Sequence, residues 1–206
     1  MKTTCAGIIL SGGQNTRMGG RNKAFLRLGD RYFLDWIIDT LSNVCCELIL
    51  ATREPYLYGE WNLKIVADIL QVRSPLSGLH VGLVNMQADY AFCTSCDTPL
   101  LKKEVVQVLI DEIEPRYDVI VPTSSTYYQP MCAIYSKKCI PFIEKQLNLG
   151  DLKADHLYEK IKLKEIPYER FEAIDPDLKS FFNVNTPEGI YTVARMLKRT
   201  EQRKIL

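Results

Sequence analysis

Histidine is scarce: His80 and His156 are the two copies in a chain of 206 residues. A His-based metal centre is therefore not expected. An excess of one charge is also lacking. Lys plus Arg number 26 and Asp plus Glu 25, a net charge of +1. That balance gives no general attraction to nucleic acid or to an anionic membrane surface, so neither partner is expected. No run of eighteen apolar residues occurs, and no membrane span is expected. The apolar run after Met1-Lys2-Thr3-Thr4 covers only about six residues, too short for a secretory signal. The cysteines number seven, an odd count. Without a secretion signal they read as reduced thiols in a cytoplasmic protein. No Pro/Gly/Ser-rich linker, repeat or low-complexity tract divides the chain, and its length suits one domain.

What is present supports a sizeable core, since 47% hydrophobic and 25% charged residues is ordinary globular composition. The most informative stretch is Leu10-Ser11-Gly12-Gly13-Gln14-Asn15-Thr16-Arg17-Met18-Gly19-Gly20-Arg21-Asn22-Lys23. It follows Ala6-Gly7-Ile8-Ile9-Leu10, an apolar run that reads as a buried strand. Glycine lets a backbone approach a ligand closely. Successive backbone N–H groups form an anion-binding concavity, and Arg17, Arg21 and Lys23 add full charges. A strand ending in such a loop suits a di- or triphosphate. No GxxxxGK[ST] or GxGxxG run occurs, which sets aside the P-loop and the dinucleotide fingerprint.

Leu34, Ile37, Ile38 and Leu41 form the stripe of an amphipathic helix, predicted over Phe33 to Asn43. Leu48-Ile49-Leu50-Ala51 and Lys64-Ile65-Val66-Ala67 read as strands. Strand, helix, strand begins a parallel α/β sheet with right-handed crossovers. Residues 69–78 read as loop, with a helix after them. Tyr90 to Ser95 and Asp118 to Pro122 read as strands, Met131 to Tyr135 as one running antiparallel, and Leu163 to Ile166 as another. A helix is predicted over 102–114, with Thr98 as its N-cap and Pro99 at its first turn. That cap would leave Asp97 uncommitted.

Asp68 and Asp97 each follow a predicted strand. In an open α/β sheet, ligands bind outside the carboxyl ends of the strands. Mg²⁺ takes one or two carboxylates plus substrate phosphate oxygens and waters, and Asp97 is the candidate ligand. Asp68 also fits a turn cap. Cys93 and Cys96 make a CxxC, but one pair cannot complete a Cys₄ zinc site. Buried structural thiols are expected. Thr123 to Pro130 is polar and aromatic, a candidate wall for an organic acceptor. Asn183 and Asn185 alternate on an extended segment, so both amides face one side and could match the edge of a heterocycle. Thr186 and Pro187 are the N-cap and first residue of a terminal helix.

The pattern L-x-G-G-x-x-x-R-M-G-G-x-x-K at 10–23 resembles the signature loop of nucleotidyltransferases that activate small molecules with an NTP. It is most similar to the molybdenum cofactor guanylyltransferases, the MobA family. Ser74-Pro75-Leu76-Ser77-Gly78 resembles that family's G-P-L-x-G with Ser74 in place of glycine. Phe181-Phe182-Asn183-Val184-Asn185-Thr186-Pro187-Glu188 resembles its F-x-N-ϕ-N-T-P-E, and Gln129-Pro130 matches more loosely. One departure is an apolar Leu50 or Ala51 where the family has a polar nucleotide contact.

The resemblance implies an α/β, single-domain, Rossmann-like nucleotidyltransferase fold with a mainly parallel central sheet and helices on both faces. It implies a nucleotide-binding half at about 1–100 and an acceptor-binding half at about 101–206 within one unit. The implied reaction moves GMP from GTP to the molybdenum-molybdopterin cofactor, giving the guanine dinucleotide form and pyrophosphate. Implied for GTP are Leu10, Ser11, Gly12, Gly13, Lys23, Asp68 and Asp97. Arg17, Lys23 and Asp97 are the implied catalytic residues, Asp97 the Mg²⁺ ligand, and Asn183 and Asn185 the pterin contacts. Molybdenum-insertion proteins and target molybdoenzymes are the implied partners, and a monomer is expected. Gly13 leaves room for a purine, which favours GTP. CTP or another NTP acting on the same cofactor or a sugar phosphate is the alternative. A non-catalytic nucleotide-sensing module is the alternative of another class.

Overall fold

Side chains of a strand alternate between faces, and the two isoleucines of the first apolar run use both. Ile8 enters one buried cluster and Ile9 another. They belong to β1 (Cys5–Ser11), buried along its whole length. Apolar residues on both faces are what a parallel strand covered by helices on each side requires. The structure is a computed structural model that describes residues 4–13, 22–68, 73–124 and 127–203, with 198–203 described by backbone alone.

After β1 the chain makes a 3₁₀ turn at Lys23–Phe25 and a small antiparallel hairpin, β2 (Arg27–Leu28) and β3 (Arg31–Tyr32). The main sheet continues with β4 (Leu48–Thr52), β5 (Lys64–Ala67), β6 (Tyr90–Ser95), β7 (Val119–Thr123), β8 (Cys132–Ser136) and β9 (Leu163–Pro167). Its order among the described residues is β5-β4-β1-β6-β8-β7-β9. Strands β5, β4, β1 and β6 pair parallel, as do β7 and β9. β8 runs against both β6 and β7. The predicted reversal of this strand follows from loop length. Residues 124–131 are too few for a parallel crossover, which needs about a dozen.

Helices cover both faces. On one lie α1 (Phe33–Ser42) and α3 (Lys103–Asp111), packing Leu34, Ile37, Leu41, Val105 and Leu109 against Ile9, Leu50 and Phe92. On the other lie α2 (Pro75–Asn85), α4 (Ile140–Asn148) and the short α5 (Asp155–Tyr158), packing against Ile8, Ile49 and Cys93. A Cβ at Gly82 of α2 would lie 2.7 Å from Ile8 Cγ2, so glycine sets how close this helix comes to β1. The single turn α6 (Glu169–Glu172) follows β9. The terminal helix α7 (Pro187–Arg203) joins Val193 to Leu26, Leu28 and Phe33 in a third cluster.

Two expectations are corrected. Helix α2 starts inside the predicted loop 69–78, because Ser74 caps it: its hydroxyl accepts from the Ser77 backbone N–H at 3.1 Å. Helix α3 is shorter than 102–114 and is not capped by Thr98, its N-cap being Lys102. The Thr98 hydroxyl turns back to β6 instead, donating to the Ser95 carbonyl and meeting the Thr94 hydroxyl, both at 3.0 Å. The chain needs Pro99 to Leu101 to bury Leu101 in the core before a helix can begin.

Candidate active site

The parallel strands bring the ends of β1, β4 and β6 to one edge, and a cavity of about 560 Å³ opens there. That is within the range of about 300–1,000 Å³ usual for small-molecule sites. Leu10, Gly12 and Gly13 line it from the end of β1, and Ala51 and Thr52 from β4. Asp68 and Arg73 to Pro75 line it from the approach to α2, Ser95 to Asp97 from β6, and Asn183 and Asn185 from the segment before α7.

The charged centre is Lys23. Its Nζ donates to Asp97 Oδ2 and to Asn185 Oδ1, both at 2.7 Å. The Lys23 and Asp97 side chains are 14% and 12% exposed, so the pair is largely withdrawn from water and screened less than a surface pair. Asp97 Oδ1 accepts from the Ser95 hydroxyl. The Asp97 carbonyl accepts from the Val184 backbone N–H at 2.8 Å, which fixes Asn183 and Asn185 on either side of it. Lys23 stands in a three-residue 3₁₀ turn with Asn22 as N-cap, whose Oδ1 accepts from the Ala24 N–H at 3.1 Å.

Asp68 marks the cavity's other side. It is 7% exposed, and its Oδ2 accepts from the Ser77 hydroxyl at 2.8 Å. Ser77 thereby links the N-terminal turn of α2 to the carboxylate. The Cys96 thiol on the cavity wall is pushed up to about 12 by burial and then by the neighbouring Asp97 charge. A thiol raised in this way holds its proton at neutral pH, as a buried structural cysteine does. Cys93 enters the opposite core cluster and both thiols are free, as expected for structural cysteines. Among the described residues no group of three or more His, Cys, Asp or Glu is placed to hold a metal. Two oxygens, Asp97 Oδ2 and Asn185 Oδ1, do converge on one cation, the Lys23 ammonium.

The profile described as "MobA-like NTP transferase domain" matches residues 7–165. The chain belongs to this family. Among relatives of this nucleotidyltransferase, the molybdenum cofactor guanylyltransferase of Desulfosudis oleivorans is 38% identical over 93% of the chain and 95% of the relative. That of Aliivibrio fischeri is 28% identical over 92% and 95%. A solved structure of molybdopterin-guanine dinucleotide biosynthesis protein A from Archaeoglobus fulgidus superposes with a TM-score of 0.84. It is 21% identical and covers 94% of this chain and 99% of that one. At that identity it shows the fold: the expected α/β, mainly parallel sheet of the nucleotidyltransferases.

Of the residues singled out from sequence, Leu10, Gly12, Gly13, Lys23, Asp68, Asp97, Asn183 and Asn185 meet at this transferase's cavity. Ser11 is not among the lining residues; its hydroxyl lies 2.6 Å from the buried Tyr58 hydroxyl. Arg17 and Arg21 lie outside the described residues. The sequence reading stopped one residue short on β4. It noted apolar Leu50 and Ala51, whereas Thr52, in register with Ser11, is the polar residue at the cavity. Arg73 and Met131 were also missed. Arg73 carried a signal, as a cation directly before the Ser-Pro-Leu-Ser-Gly run. An isolated Met beside a predicted strand carried none.

Proposed function

We propose that this nucleotidyltransferase moves GMP from GTP to the molybdenum-molybdopterin cofactor, releasing pyrophosphate. The observation that carries the reading is Lys23 gathered with Asp97 and Asn185 at 2.7 Å, in the same cavity as Gly12 and Gly13. In this reading, residues to about 100 form the nucleotide half and the remainder the acceptor half. An oxygen of the pterin's terminal phosphate attacks the α-phosphorus of GTP. A new P–O bond forms as the bond to the β-phosphate oxygen breaks. Such a transfer asks the protein for alignment and charge stabilisation more than for covalent chemistry.

The backbone N–H groups at Gly12 and Gly13 receive the nucleotide, with no Cβ between backbone and ligand. Lys23 neutralises charge on the β- and γ-phosphates and on the departing pyrophosphate, and Arg17 supplements it. Asp68, held by Ser77, takes the ribose or base end beside Thr52. Asn183 and the free amide hydrogens of Asn185 face the pterin. The donor set fits Mg²⁺, because Asp97 and Asn185 already direct two oxygens at a cation. Asp97 is the residue to hold it, and the bound ion would supply charge neutralisation on the phosphates. The seven free thiols suit a reducing, cytoplasmic setting. Among the described residues no helix is long and apolar enough to cross a membrane.

Pyrophosphate release is the test, with GTP, CTP and ATP each supplied with Mg²⁺ and molybdenum-molybdopterin. GTP-selective release that needs the pterin and stops on chelation of Mg²⁺ is the expected result. Preference for CTP would change the product assigned. Release from none of the three, with nucleotide still bound, would overturn the reading in favour of a sensing module.

A further inference from the structure

Tyr58 is fully buried, yet its hydroxyl reaches both ends of the glycine-rich basic loop, with Thr52 of β4 as a further, weaker partner. It lies 2.6 Å from Ser11 Oγ, where the chain leaves β1, and 2.8 Å from Asn22 Nδ2, directly before Lys23. Ser11 Oγ also donates to Asn22 Oδ1 at 3.5 Å. The donors close into a ring. Asn22 donates to Tyr58, Tyr58 to Ser11, and Ser11 to Asn22. Burial raises the Tyr58 phenol above its ordinary value, which keeps its proton in that ring at neutral pH.

The Tyr58 ring acts on the same turn. Phe25, on the far side of Lys23, packs against it with centroids 5.2 Å apart, and Trp61 flanks both at 5.6 and 6.0 Å. A three-residue 3₁₀ turn has little hydrogen bonding of its own. The residues before and after Lys23 are both fastened to Tyr58, which comes from a separate 3₁₀ helix, Pro55–Tyr58.

We infer that Tyr58 is a positioning residue for nucleotide binding: through Ser11, Asn22 and Phe25 it sets where the chain leaves β1 and the place of Lys23. This rests on the nucleotidyl-transfer reading above and deepens it. A role in the fold alone would lower thermal stability without touching one substrate more than the other.

Tyr58→Phe keeps the ring and removes the hydroxyl. The expected result is a rise of roughly tenfold in the KM for GTP and in its calorimetric Kd, the scale of one lost hydrogen bond. The KM for the molybdenum-molybdopterin acceptor should stay within about twofold. Asn22→Ala, on the accessible side of the ring, should give a similar loss, and the double variant little more than either alone. An unchanged GTP affinity in Tyr58→Phe, an equal rise for the acceptor, or additive losses would overturn the inference. Wild-type protein that binds GTP without turnover counts against the transfer reading alone, since the binding comparison still judges Tyr58. Wild-type protein that binds no GTP overturns both.

Discussion

Asp97 serves three neighbours at once. Its carboxylate takes the Lys23 ammonium and the Ser95 hydroxyl, and its carbonyl takes the Val184 N–H. The backbone contact survives any side-chain change, so substitution should spare the segment carrying Asn183 and Asn185. Asp97→Asn retains the volume and an amide oxygen but loses the charge. Turnover is expected to fall by at least about 100-fold, the scale of removing one preorganised electrostatic group. Steady-state pyrophosphate release with circular dichroism melting checks this. Near-normal turnover in a folded variant would remove Asp97 from the mechanism. Both residues were legible in the sequence, Lys23 as the last cation of the loop and Asp97 as an acid after a strand. Their contact was not, because they lie 74 positions apart and meet only through strand pairing. Ser11 shows the converse. As a small polar residue beside two glycines it reads as a ligand contact, and only Tyr58 packing beneath it reveals where its hydroxyl goes.

Helix α2 links the fold to the site, since its first turn carries both its own cap and the serine that holds Asp68. Ser74 and Ser77 form a reciprocal box, with the Ser77 N–H on Ser74 Oγ at 3.1 Å and the Ser74 N–H on Ser77 Oγ at 3.4 Å. Ser74→Ala should cost about 1 kcal/mol, the usual worth of an N-cap. The melting temperature should then fall by roughly 2–4 °C for a chain of this size. GTP binding should weaken alongside, because Ser77 loses a partner that aims it at Asp68. Differential scanning calorimetry and nucleotide titration check the two effects, and a melting change with no affinity change would detach the cap from the site. Strands β4, β5 and β6 were legible as apolar runs and α1 as a stripe. The start of α2 was not, because Ser-Pro-Leu-Ser-Gly is equally good turn chemistry. The Thr98-Pro99 pair misled for the same reason.

Across the molecule, the outermost strand β9 is tied to the end of α3 by charge. Lys164 Nζ reaches Glu112 and Glu114 at 2.8 and 2.6 Å, and Arg170 reaches Glu112 at 3.3 Å. Hydrogen bonding from Lys164 is the main cause holding both carboxylates below their ordinary value of 4.5 in the folded chain. Below pH 4.5 the unfolded chain therefore takes up more protons than the folded one. The stabilisation is present above that pH and is lost as pH falls through the lower folded values. Urea midpoints measured from pH 7 down to 3 should decline below about 4.5, and Lys164→Met should flatten that decline. An unaltered decline in the variant would assign acid sensitivity elsewhere.

The sequence by itself determined the class of sheet, the glycine-rich basic character of the loop and most of the residue types that line the cavity. These follow from local physics: continuous apolar runs, period-3.6 patterning, glycine at a strand end, and carboxylates after apolar runs. Tertiary structure decided what required distant segments to meet. It placed β8 between β6 and β7, drew Asn185 and Asp97 onto Lys23, made Thr52 the polar residue beside Ser11, and buried Tyr58 against Ser11 and Asn22. Those choices depend on register and on packing in a close-filled interior, where one residue of shift changes which side chain faces the cavity.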